Sequence, residues 1–119
     1  MKSLVSFSKI LICREPVDGR KQINTLAHIV EQGLGEPLFD GSLFVFINRR
    51  RDLLKILYYD QTGFALWIKR LEKEKFFWLK WPSSSGANTV TSSQLSMLLE
   101  GYDIFKVKPH EKVLAKRFS

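Results

Sequence analysis

The chain has a single cysteine, Cys13, and only two histidines, His28 and His110, far apart in sequence. One thiol closes no disulfide within the chain, which fits a reducing cytoplasm. One cysteine and two distant histidines do not make a four-ligand zinc site, so neither a metal nor any other cofactor is expected. No run approaches the roughly 20 apolar residues that cross a bilayer. The opening "MKSLVSFSKILIC" is interrupted by Ser6, Ser8 and Lys9 and is followed at once by Arg14 and Glu15, a poor secretion signal. Ile12 stands before Cys13, where a lipoprotein cleavage site would have a small residue. A cytoplasmic protein with no membrane partner is therefore expected. H-x-H, G-x-S-x-G and phosphate-loop patterns are missing, and no helix-turn-helix pattern is visible. Acidic residues are the scarcer charge. Twelve Asp and Glu oppose nineteen Lys and Arg, a net charge of +7, and the pI is near 9.7. That balance favours polyanions, either nucleic acid or an anionic membrane surface.

What is present is the material of one core. The 119 residues are 45% hydrophobic and include nine phenylalanines. This size and composition predict a single domain over 1–119, with a basic C-terminal extension at 104–119. Residues 8–14 form a short β-type run. Ile23, Leu26, Ala27 and Val30 then recur at helical spacing. Asp18 is the expected N-cap of that helix, and Gly33 or Gly35 with Pro37 its end. Four strand-like runs follow at 42–48, 53–59, 64–71 and 76–80, separated by short gaps that favour antiparallel hairpins. Residues 43–46 (LFVF) are apolar on both parities, so this strand wants cover on both faces or a strongly curled sheet. A polar loop is expected at 82–89. A second helix follows, with a T-x-x-Q capping box at Thr91 and Gln94, an apolar stripe of Leu95, Leu98, Leu99 and Tyr102, and Gly101 as its stop. The predicted fold is α+β: an antiparallel meander of four strands, with a fifth from residues 8–14, and two α-helices. Phe44, Phe46, Ile56, Leu66, Leu26, Leu95 and Leu98 are the expected core.

A meander also gathers charge. Alternate turns of an up-and-down sheet lie at the same end, so the turns at 49–52 and 72–75 are expected side by side. Arg49, Arg50, Arg51, Lys69, Arg70, Lys73 and Lys75 should then form one positive rim, offset nearby only by Asp52, Glu72 and Glu74. Arginine donates paired hydrogen bonds to phosphate, and clustered cations release counterions when DNA binds. The plainer reading is a charged turn that keeps a sheet edge soluble. Tyr58, Tyr59, Trp67, Trp78 and Trp81 could stack on bases, although core or interface packing is the commoner use of such residues. Tyr59 and Trp81 are the best candidates for exposure.

"GSLFVFINRRRDLLKILYYDQTGFALWIKRLEKEKFFWLKWP" resembles the core of the small second-reading-frame accessory protein (TnpB-type, Orf-2) of bacterial insertion sequence 66 elements. The resemblance rests on Gly41, Leu43, Phe44, Val45, Phe46, Asn48, Arg49, Arg50, Lys55, Leu57, Asp60, Gly63, Phe64, Leu66, Lys69, Arg70, Leu71, Glu72 and Phe76. It continues in "TSSQLSMLLEGYD" and reaches back to "DGRKQINTLAHIV". Gln22 and Thr25 stand where the family tends to have glycine, Val90 where leucine is usual, and the spacing near Trp81 and Pro82 carries an insertion. The resemblance implies a non-catalytic protein needed for transposition beside a separate large transposase.

The residues themselves agree with a non-enzyme. Asp18 reads as a cap, Asp40 and Asp60 as turn residues, Asp52 as a turn closer and Asp103 as a post-helix residue, which leaves no carboxylates for a two-metal site. His28 faces outward from its helix, and Cys13 reads as a buried strand residue. The expected function is an accessory role in transposition, binding transposon-end DNA through its phosphates. The alternative is a protein–protein adaptor that docks the transposase or a second copy of itself.

Overall fold

The computed structural model describes Phe7, residues 9–78 and residues 86–105. The expectations placed on Trp81, His110, residues 79–80 of the fourth run, residues 82–85 of the loop, and the tail from 106 lie outside these. The chain forms β1 (Lys9–Cys13), α1 (Ile23–His28), β2 (Ser42–Ile47), β3 (Leu53–Asp60), β4 (Gly63–Arg70), β5 (Ala87–Val90) and α2 (Ser92–Glu100). A π-helical turn, Ile29–Leu34, continues α1. The five strands make one sheet in the order β4-β3-β2-β1-β5.

The α+β class stands, but the all-antiparallel meander does not. β2, β3 and β4 are successive antiparallel neighbours, whereas β1 lies parallel to β2. Parallel neighbours need a crossover of a dozen or more residues, usually through a helix, and α1 is that crossover. The fourth run is also corrected. Residues 76–78 form no strand; Phe76 and Trp78 are buried beneath the sheet while Phe77 is exposed. The fifth strand expected from residues 8–14 is present as β1, and the remaining strand is β5, which starts within the expected loop and pairs antiparallel with β1.

β2 is buried along its whole length, because the sheet is covered on both faces. Leu43, Val45 and Ile47 pack with Ile56, Phe76, Trp78 and the α2 residues Leu95 and Leu98. Phe44 and Phe46 point the other way, into a cluster with Leu11, Leu57 and the helical residues Leu26 and Val30. A strand apolar on both parities therefore has an apolar partner on each side. Of the expected core only Leu66 is not fully buried. It sits on β4, the edge of the sheet, with no further described strand to shield it.

The helix ends follow the local chemistry in one case and depart from it in the other. Asp18 does not cap α1; Gln22 holds the N-cap position without a side-chain bond. The Asp18 carboxylate instead accepts from the Arg20 N–H at 2.9 Å. The chain must first cross the end of β2, where the Val17 N–H donates to the Ile47 carbonyl, so the helix starts later than the cap residue suggests. Gly35, at φ 67°, ends the π-helical turn. At α2 the capping box is complete. Thr91 Oγ1 accepts from the Gln94 N–H at 3.0 Å, and Gln94 Oε1 accepts from the Thr91 N–H at 2.9 Å. Gly101 closes the helix at φ 103°. Thr91→Ala should lower stability by about 1 kcal/mol, read as a shifted urea midpoint with an unchanged slope.

Candidate nucleic-acid interface

Because β1 and β2 are parallel, their C-terminal ends emerge at the same edge of the sheet. The register brings the starts of β3 and β5 and the end of β4 to that edge too. Three segments therefore meet there: residues 14–22, the β2–β3 turn at 48–52, and residues 71–76 after β4. Backbone bonds tie the last two together. The Leu71 N–H donates to the Asp52 carbonyl at 2.8 Å and the Phe76 N–H to the Arg51 carbonyl at 2.7 Å. Lys73 and Lys75 lie on the span between, and Lys75 Nζ donates to the Arg50 carbonyl at 2.8 Å.

Of the seven residues expected on the rim, Arg49, Arg50, Arg70, Lys73 and Lys75 are exposed at this edge. The Arg50 side chain is 81% exposed and stands 4.0 Å from the Asp52 carboxylate. Arg49 makes no side-chain hydrogen bond or ion pair among the described residues. Arg51 is half-buried and takes φ 65°, the left-handed conformation that closes the turn. Lys69 is turned to the α2 side. Its Nζ donates to the Leu99 carbonyl at 2.9 Å, where the negative pole of α2 attracts a cation.

The edge holds further cations that the all-antiparallel reading missed, namely Arg14, Arg20 and Lys21 on the segment following β1. Arg14 bonds to Asn88 Oδ1 at 2.7 Å, and Arg20 pairs with Asp18 at 2.8 Å. The signal was available: a strand, a helical pattern and another strand in succession read as a parallel crossover, which puts the segment after the first strand at this edge.

Asn48 builds the turn that carries the arginines. Its Oδ1 accepts from the Asp52 and Leu53 N–H groups, both at 3.1 Å, and its Nδ2 donates to Asp52 Oδ1 at 2.7 Å. That last bond, helped by Arg50 and Arg70, holds the Asp52 carboxyl below its ordinary value. Asn48→Ala removes all three bonds and should cost about 1–3 kcal/mol, measured by urea unfolding. Lys55, 3% exposed, reaches from β3 to the Lys21 carbonyl at 2.5 Å, and its burial pushes its pKa down. It ties the 14–22 segment to the sheet. Gly19 permits the same approach, since a Cβ there would come within 2.9 Å of Leu53 Cδ2. The contact leaves a cleft of about 400 Å³ between Pro16–Gly19 and Asn48–Arg50.

The aromatic candidates are placed elsewhere. Tyr58 and Trp78 are buried, and Trp67 packs half-buried against the α2-side core. Tyr59 lies at the opposite end of the sheet, edge-on to Phe39 and Phe64. Cys13 is buried, which raises its thiol pKa. Among the described residues no group of three His, Cys, Asp or Glu could hold a metal ion, and no helix is long and apolar enough to cross a membrane.

Fold and edge together define a small α+β protein with a mixed sheet between helices and, among the described residues, its exposed arginines concentrated at one end. The chain belongs to the family described as IS66 Orf2 like protein, whose model matches residues 8–109. This ties it to the transposition of an insertion sequence. Two similar chains come from Sinorhizobium fredii (strain NBRC 101917 / NGR234). "Uncharacterized protein y4jC" is 34% identical over 84% of each chain. "Uncharacterized protein y4hO" is 38% identical over 80% of this chain and 81% of its own. No solved structure matches. Six of the residues that carry the resemblance bear on this edge, in two groups. Asn48, Lys55 and Lys69 hold the architecture of the edge, while Arg49, Arg50 and Arg70 stand out from it.

Proposed function

We propose that the protein is a non-catalytic accessory factor of transposition that holds transposon-end DNA by its phosphate backbone on this edge, beside the element's separate large transposase. The observation that carries the reading is the convergence of Arg49, Arg50, Arg70, Lys73 and Lys75 from two segments onto one exposed surface. Exposed guanidinium groups reach phosphate oxygens with little desolvation cost, and their forked geometry matches two oxygens at once. Such contacts fix position and orientation without reading bases, so sequence choice falls to the transposase.

A band shift with terminal-repeat DNA, run with and without the transposase over a range of salt, tests this. A shift by the protein alone, weakening steeply with salt, is expected. A shift only when the transposase is present would replace the DNA reading with the adaptor reading.

A further inference from the structure

The basic edge carries a second cavity beside the cleft described above. Its volume is about 250 Å³, just under the roughly 300–1,000 Å³ of ordinary small-molecule sites, so it suits one small ring system. Pro16, Val17, Ile29 and Leu34 supply aliphatic walls. All four are half-buried, so each keeps apolar surface free to pack against a guest. Buried Cys13 also lines the cavity, which therefore reaches into the fold. Two exposed side chains of opposite charge complete it, Glu15 and Arg49. Among the described residues neither has a hydrogen-bond or ion-pair partner, and they do not pair with each other. Pro16, Val17 and Arg49 line the 400 Å³ cleft as well, so the two spaces adjoin and Arg49 belongs to both. In the cleft the Asp18 charge is offset by Arg20 at 2.8 Å, and Arg50 extends the positive charge beyond Arg49.

We infer that the smaller cavity takes the base of one unpaired nucleotide, with Glu15 accepting hydrogen bonds from the base and Arg49 holding its phosphate, so that this edge grips the single-stranded terminus of a DNA end. The inference rests on the DNA reading of the edge and deepens it. The chemistry selects the ligand. Aliphatic walls want a flat apolar ring, a free carboxylate wants an N–H edge, and a free guanidinium wants an anion close by. A nucleotide carries all three, and along a strand its anions repeat, as the cations do from Arg49 to Arg50. Proteins that hold an extruded or unpaired base use the same two elements, apolar packing on its faces and hydrogen bonds to its Watson–Crick edge.

Paired bases are stacked and turned inward, and extruding one costs unpairing energy that an unpaired terminus does not. Duplex binding by the rest of the edge therefore stays blind to sequence, while the terminal base is read. Guanine presents two neighbouring donors, N1–H and the N2 amino group, to the two oxygens of one carboxylate. Thymine presents a single N–H between two carbonyls, which repel a carboxylate. Guanine at the unpaired position should be preferred.

Fluorescence anisotropy at one fixed salt concentration gives the test. The probes are a blunt duplex and the same duplex with a three-nucleotide overhang of guanine, thymine or abasic sites, placed on either strand. A guanine overhang on one of the strands should bind roughly tenfold more tightly than the abasic one, as one bidentate base contact allows, and more tightly than thymine. Glu15→Ala should abolish the preference for guanine over thymine. Leu34→Trp, whose indole fills the cavity, should abolish the gain over the abasic overhang while the circular dichroism spectrum and blunt-duplex affinity are kept. Equal affinity for guanine, thymine and abasic overhangs, beside normal binding of the blunt duplex, would overturn the pocket and leave the DNA reading standing. A guanine preference that survives both substitutions would also overturn it. Failure to bind any probe, blunt duplex included, would overturn both.

Discussion

Replacing Arg49, Arg50 and Arg70 together with alanine should weaken duplex binding on the order of a hundredfold while leaving the fold intact. All three side chains are exposed, and exposed charges contribute little to stability. A cation about 4 Å from a phosphate in water gains roughly 1 kcal/mol, and three such losses approach a factor of one hundred in Kd. The loss should be the same for unrelated sequences, since phosphate contacts carry no base information. Each lost contact should flatten the plot of log affinity against log salt by about 0.9, so by roughly 2.7 for three. Arg51 is left in place because its backbone shapes the turn and its carbonyl receives the Phe76 N–H. Lys69→Ala should behave differently. It removes the bond to the Leu99 carbonyl and so should loosen the end of α2 with little effect on the salt slope. Fluorescence anisotropy on labelled duplex at several salt concentrations, beside urea unfolding of each variant, separates the two classes.

Phe44→Ala should cost about 3–5 kcal/mol, as large aromatic-to-alanine truncations in cores do. Phe44 is 1% exposed on β2, flanked in the ladder by Leu11 and Leu57. The α1 residue Leu26 and the following Val30 pack into the same cluster. α1 has six residues and no side-chain cap, so it depends on packing more than on local propensity. A cavity beneath it should loosen both the helix and the 14–22 segment leading to it. Domains are typically stable by only about 5–15 kcal/mol, so the variant should sit close to unfolding. Urea denaturation at neutral pH measures this, and a loss below about 1 kcal/mol, less than a buried aromatic truncation costs, would mean that the α1-side core is misplaced.

The middle of the fold was legible because its physics is local. Residues 42–70 alternate between turn-formers and strand-formers at short spacing, and antiparallel hairpins are what short gaps allow. The capping box of α2 and the stop at Gly101 needed only neighbours in sequence. The parallel β1–β2 pair was not read, although residues 14–41 contain the long helical crossover that such a pair requires. β5 could not have been read from ANTV alone; it is a strand because β1 offers it a ladder. The run at 76–78 does alternate, with Phe76 and Trp78 inward and Phe77 outward, but alternation reports burial and not pairing. The rim survived this error. Residues 71–76 return to the β2–β3 turn whether or not a strand follows, so Arg49, Arg50, Arg70, Lys73 and Lys75 still meet. The clamp by Lys69 was hidden, because it depends on where α2 lies.

The central claim is that the basic edge holds DNA by its backbone. Its most direct test is the salt dependence of wild-type affinity for two duplexes of unrelated sequence, one a transposon end. Similar affinities that both fall steeply and linearly on a log–log plot are expected, with a slope of several units for the several exposed cations. Absence of binding at low salt, or an affinity that ignores salt, would contradict the account.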